Sequence, residues 1–239
     1  MVEDVALNRE VVAGLLERDG HRVTLAEDAE PALALCRQRR FDLILLDLHL
    51  PGMAGTELCR LIRGDEQGAN RDSRVLAFTA SQQPALVRSC LDAGMQGALA
   101  KPLKLDDLRR ALAGQAMVAA EEGDIELLDG QLLDTHRSLL GEQKLQGLLE
   151  LLRRMLDEHR AGLLAALAAR DCAEVGHLAH RLAGSSESLG LRALAACLRE
   201  LEEAALAGDA AALPALEPRL EELLSRSATA LDGLLHAAS

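Results

Sequence analysis

FDLILLDLHLPGMAG, residues Phe41 to Gly55, decides the fold. Leu43–Leu46 is continuously apolar, as in a strand buried on both faces of a parallel sheet. The run stops at a carboxylate, Asp47, and a Pro51-Gly52 turn signal follows. Three more short apolar runs read as strands: His21–Asp28, Arg74–Ala80 and Gly97–Pro102. Between them, helical periodicity covers roughly Asn8–Asp19, Pro31–Arg39, Gly55–Arg63, Pro84–Ala93 and Leu105–Ala113. Alternating strand and helix implies right-handed crossovers, hence an α/β flavodoxin-like doubly wound parallel sheet.

Residues 115–126 have small and acidic side chains with little periodicity and read as a linker between a domain over 1–114 and a second over 127–239. Past it the β signals vanish. Helices are expected at Asp129–Leu140, Glu142–Ala169, Cys172–Leu189, Leu191–Ala207 and Ala212–Ala237, broken near Gly141, Arg170-Asp171, Gly190 and Gly208. Long amphipathic helices with short connections make an all-α four-helix bundle.

Composition narrows the function. Lys plus Arg is 26 against 38 Asp plus Glu, a net charge of −12, which opposes binding to nucleic acid or to an anionic membrane surface. Aromatics are 1% of the chain, so base-stacking platforms are nearly excluded. The five Cys are odd in number and lack CxxC spacing, so neither a zinc ribbon nor a disulfide framework is expected, and a reducing cytoplasm is the default location.

In a doubly wound sheet the working site lies beyond the carboxyl ends of the strands. Glu3 and Asp4, Asp47, Thr79 and Lys101 stand at four such ends. Converging carboxylates need a cation, and hard oxygen donors suit Mg²⁺. A carboxylate beside a cation, a hydroxyl and an ammonium is what an incoming phosphoryl group requires.

Glu3-Asp4, Asp47 in LLDLHLPGMAG, Thr79 in FTAS and Lys101-Pro102 resemble the receiver domain of bacterial response regulators. The resemblance implies that Asp47 is a phospho-acceptor. It implies that Asp4, Asp47 and the backbone carbonyl of His49 bind Mg²⁺ directly, with Glu3 acting through water. Lys101 would bridge to the phosphoryl group and Thr79 would sense it. Two departures matter. Only Met1 and Val2 precede the acidic pair, so the first strand reads as truncated. Ala98 stands where the family has an aromatic switch residue, so that switch is not carried over. The His49 side chain is expected at the pocket rim, tuning the lifetime of the acyl phosphate.

In the second half, Val175, Leu178, Ala179, Leu182, Ser186 and Leu189 recur as one buried helical stripe. His180 lies about 140° from its centre and is expected to point to solvent, with Gly184 one turn on, leaving space for a partner. The run His180-Arg181-Leu182-Ala183-Gly184-Ser185-Ser186 is similar to the signature of histidine phosphotransfer (HPt) domains, with Ala183 in place of the usual Lys. The resemblance implies that His180 is a second phospho-acceptor. Arg181 points elsewhere on the helix than the missing Lys would, and His177 reads as a surface neighbour.

The two resemblances together describe a phosphorelay segment. Its partners would be an upstream histidine kinase domain, which phosphorylates Asp47, and a downstream receiver, which takes the group from His180. No ATP-binding motif is evident in the sequence, and the truncated front points to the C-terminal part of a hybrid sensor histidine kinase. A free-standing receiver–HPt relay protein is the alternative. A haloacid-dehalogenase-type phosphatase also uses Asp, Thr and Lys at strand ends, but His49 occupies the place of its second acid. A docking scaffold would not need the acid–Thr–Lys set.

Overall fold

The computed structural model describes residues 1–66, 68–79, 84–113 and 127–237, so the linker expected over 115–126 lies outside the described residues. The chain divides into two compact units, Met1–Glu122 and Gly123–Ser239.

The first unit is a parallel sheet between two helical layers. Strand β1 (Leu43–Asp47) pairs with β4 (Arg74–Thr79), which pairs with β5 (Ala98–Ala100). Between them β2 (His49–Leu50) and β3 (Met53–Ala54) form a two-residue hairpin, turned at Gly52 with φ +74°. On the other side of β1, Val2 bridges in parallel to both Leu46 and Ala26. The Val2 amide donates to the Leu45 carbonyl (2.8 Å) and the Asp47 amide to the Val2 carbonyl (3.0 Å). Met1–Glu3 therefore lies inside the sheet, with a neighbour on each side. The strand expected over His21–Asp28 is reduced to the bridge at Ala26, because the three residues beside it offer only a short ladder.

Alternation along the strands assigns the two faces. Ile44, Leu46, Val75 and Ala77 pack against α2 (Ala29–Gln38), α3 (Gly55–Gly64) and α4 (Pro84–Asp92). Leu45, Leu76, Phe78 and Leu99 pack against α1 (Ala6–Arg18) and α5 (Leu105–Leu112). Both faces are covered, which is why these strands read as unbroken apolar runs. Buried Asn70 ties the layers at the sheet's far end: its side chain donates to the carbonyls of Cys36 and Arg39 and accepts from the Phe41 amide.

The second unit is helical: α6 (Gly130–Leu140), α7 (Glu142–Ala169), α8 (Cys172–Ser188), α9 (Arg192–Leu206) and α10 (Leu213–Ala237). Helices α7 to α10 close a four-membered ring of contacts, and α6 leans on α7. Asp129 and Asp171 cap α6 and α8 through the amides of Leu132 and Glu174. Among the described residues, no helix is long and apolar enough to cross a membrane.

His136 of α6 is buried, and its Nδ1 has no hydrogen-bond partner among the described residues. Burial holds its pKa down to about 4, against the pull of Asp129. Unfolded, the imidazole takes a proton near 6.5, so between 6.5 and 4 the unfolded chain binds more protons. Stability is therefore lost as pH drops from 6.5 to 4, by about 1.4 kcal/mol per unit from this residue. Urea unfolding of the intact chain, followed at the amides of α6–α10, is expected to weaken more steeply over this range than in His136→Phe. Equal slopes would contradict the assignment.

Candidate functional site

Strand register builds the first site. Asp47 pairs with Phe78, so Thr79 extends one residue beyond Asp47; Thr79 pairs with Ala100, so Lys101 extends one further. The Lys101 amide donates to the Thr79 carbonyl (2.8 Å), holding that step. Glu3 and Asp4 continue past the bridge at Val2 on the other side. Glu3, Asp47, Thr79 and Lys101 are buried, and Asp4 is half-buried.

The Lys101 ammonium sits between two carboxylates, 2.6 Å from Asp47 Oδ2 and 2.7 Å from Glu3 Oε2. Its side chain is 1% exposed and both acids are 0% exposed, so water screens none of the three. Burial works to discharge Lys101, but Asp47 and Glu3 outweigh it and hold its pKa above the usual ammonium range. Burial lifts the Glu3 carboxyl to about 7, with Lys101 opposing and the Asp47 charge adding to the rise. The far oxygen of Asp47, Oδ1, accepts from the His49 amide (3.1 Å), while the His49 side chain is exposed.

The turn after Asp47 also depends on a close approach. A Cβ on Gly55 would lie 2.1 Å from the Asp47 carbonyl oxygen, and the Gly55 amide donates to the Leu48 carbonyl (2.9 Å). Only glycine lets α3 start this close to the strand end.

Glu3, Asp4 and Asp47 each offer a carboxylate oxygen, and these oxygens lie within 4.8 Å of one another. Three carboxyl groups gather beside the ammonium of Lys101. An all-oxygen, net-negative donor set fits a hard divalent cation.

In the bundle, the predicted stripe of α8 is buried throughout. His180, expected to point to solvent, does not stand free: its side chain is 12% exposed and its Nδ1 lies 2.8 Å from Glu202 Oε1 on α9. Periodicity gave its angle on α8 but not the side chain that reaches it from another helix. Gly184, expected on an open face, is also buried, because α8 is covered on every side over Leu182–Ser186. Arg181 is half-buried and His177 is exposed. Glu202 was not legible as a site residue. It is 22 positions from His180, on a helix whose other acids, such as Glu203, face water.

Comparison with known proteins matches both halves. The family profile of the response regulator receiver domain covers residues 1–113, and that of the Hpt domain covers residues 147–230. The sensor histidine kinase AruS of Pseudomonas aeruginosa is 60% identical over 206 residues, which is 86% of this chain and 21% of that protein. The virulence sensor protein BvgS of Bordetella pertussis is 31% identical over 253 residues, 99% of this chain and 20% of that protein. The chain thus spans about a fifth of the length of these two relatives. Among solved structures, the receiver domain of a Pseudomonas aeruginosa sensor histidine kinase, with a magnesium ion coordinated in its active-site cleft, is 37% identical. The match covers 47% of this chain and 91% of that one, with a TM-score of 0.43.

Replacing Lys101 by Met removes the cation that opposes Glu3's rise. Glu3 is then expected to titrate above 7 in the metal-free chain, read from its side-chain carboxyl ¹³C shift. An unchanged titration would show that Lys101 does not govern the charge of this cluster.

Proposed function

The chain belongs to the two-component phosphorelay proteins, with a receiver domain over residues 1–113 followed by an Hpt domain over residues 147–230, and from that we propose a route for the phosphoryl group through it. Asp47 accepts the group from a phosphohistidine on an upstream kinase domain, and His180 receives it in turn and hands it to the Asp of a downstream receiver. The chain is a phosphotransfer segment of a longer hybrid sensor histidine kinase, working at its cytoplasmic side. The observation that carries this reading is the buried Glu3–Lys101–Asp47 arrangement beside Asp4, at the carboxyl end of the sheet.

Asp4 and Asp47 would hold Mg²⁺ directly, with the His49 carbonyl and, through water, Glu3 as further donors. When bound, the ion supplies charge neutralisation for the oxygens of the incoming group. In the first step an Asp47 carboxylate oxygen forms a bond to phosphorus as the donor's N–P bond breaks, and the electron pair of that bond stays as the lone pair of the departing neutral imidazole, whose other nitrogen keeps its proton. Lys101, already within reach of Asp47, turns its ammonium to a phosphoryl oxygen, and Thr79 donates its hydroxyl to another.

At the second acceptor the ionised Glu202 carboxylate can only accept, so His180 Nδ1 carries the proton toward it. That leaves the Nε2 lone pair as nucleophile. It bonds to phosphorus as the Asp47 O–P bond breaks, and the Asp47 carboxylate is restored. The positive charge that develops on the ring is met by Glu202.

Incubation with acetyl phosphate and Mg²⁺ tests the route. Asp47→Asn is expected to abolish labelling of both residues. His180→Gln should keep the Asp47 label and stop delivery to an added receiver; delivery by that variant would overturn the reading. A hydrogen bond to a charged group is worth about 1.5–3 kcal/mol, so Glu202→Ala should slow labelling of His180 by roughly 10- to 100-fold while labelling of Asp47 is unchanged. Equal rates would remove Glu202 from the mechanism.

A further inference from the structure

The acidic pair stands between two regular elements of the fold. Glu3 and Asp4 lie after the bridge at Val2 and before α1 begins at Ala6, so no regular ladder or helix fixes them. Beyond Val2 the backbone hydrogen bond that reaches this segment from the sheet side is the Glu3 amide to the Ala26 carbonyl (3.1 Å). Yet the pair's carboxylates must be held close to each other and to Asp47, where like charges push them apart.

Two consecutive side chains of α1 grip this segment. Asn8 is 1% exposed, and its Nδ2 donates to Glu3 Oε1 (3.0 Å), an oxygen that also accepts from the Val5 amide (3.3 Å). That leaves the other oxygen, Oε2, to Lys101. Arg9 takes the backbone: its Nη1 donates to the Glu3 carbonyl (2.6 Å) and to the Asp4 carbonyl (2.7 Å). Its side chain is 16% exposed, and its outer contact, to Glu27 at 3.9 Å, is with a side chain 72% exposed. Two successive carbonyls bound to one nitrogen fix the peptide planes on both sides of Asp4, and so the direction in which its side chain leaves the backbone.

We propose that Asn8 and Arg9 are positioning residues that pre-form the acidic pair for a divalent cation, Asn8 by holding the Glu3 carboxylate and Arg9 by clamping the carbonyls of Glu3 and Asp4. This rests on the reading of Glu3, Asp4 and Asp47 as the cation's donors. Neither residue touches the transferred group. They act by sparing the cation the work of gathering repelling carboxylates, and groups that orient ligands in this way typically change metal affinity 10- to 100-fold.

The test uses the full chain and Mg²⁺ alone, titrated while backbone amide resonances are followed. Arg9→Met is expected to raise the Mg²⁺ dissociation constant by roughly 10- to 100-fold. It should also speed hydrogen exchange at the Asp4 and Val5 amides before any metal is added, a change that a general loss of stability would spread over the sheet. Arg9→Lys should recover part of the affinity, since an ammonium donates to carbonyls without the planar fork. Glu27→Gln, which removes the exposed ion pair and keeps the clamp, should leave affinity and exchange as they are. Asn8→Leu should weaken binding without changing exchange at Asp4. An Arg9→Met chain with unchanged Mg²⁺ affinity, next to a wild type that binds, would overturn the proposal alone. A wild type that takes up no Mg²⁺ would overturn the cation reading and the proposal with it.

Discussion

One ammonium buried between two carboxylates organises the first unit. Isolated, each of these charges would be costly to bury; together, Glu3, Lys101 and Asp47 compensate one another only at contact distance. Contact is possible because three separate segments end at the same edge of one sheet: residues 1–3, β1 and, across β4, β5. The compensation is incomplete, since Asp4 adds a further negative charge and Glu3's carboxyl is lifted to about 7 by its burial. A free carboxylate held that way lowers stability as pH rises from about 4.5 to 7. The unrelieved charge is the physical reason for a cation there, and the same charges that attract it are poised to receive an anion once it has come.

The two acceptors solve different problems. Asp47 is a poor nucleophile toward an anionic group unless its surroundings are positive, so its site is dense with charge and buried. His180 needs no such field, because a neutral imidazole is already nucleophilic. What it needs is the proton held on one ring nitrogen, and the Glu202 carboxylate on a neighbouring helix does that. The bundle is accordingly a simple scaffold: four long helices, short breaks, and the His180–Glu202 pair beside a core of leucines and alanines.

Much of this was legible in the chain. Helix limits fell within one or two residues of expectation, from α3 at Gly55 to α7 ending at Ala169, because the apolar period and the breakers agree there. The acids and Lys101 were legible because each closes an apolar run. What escaped depends on three dimensions. His21–Asp28 has the apolar run of a strand but too short a partner. The direction of His180 follows from its helix, but its cover comes from another. Glu202, Asn8 and Arg9 carry no motif; only the fold brings Asn8 and Arg9 beneath the acidic pair or lays α9 alongside α8. Gly55 stood in a quoted motif, yet its necessity appears only when the Asp47 carbonyl is seen against it.

The central claim is that the charge-compensated carboxylate of Asp47 carries the phosphoryl group as an acyl phosphate. Borohydride reduces an acyl phosphate to an alcohol, leaving a permanent mark on the residue that held it. Mass spectrometry of peptides from the phosphorylated, borohydride-treated chain should place homoserine at position 47. Homoserine absent there, or the corresponding alcohol formed at Glu3 instead, would contradict the account.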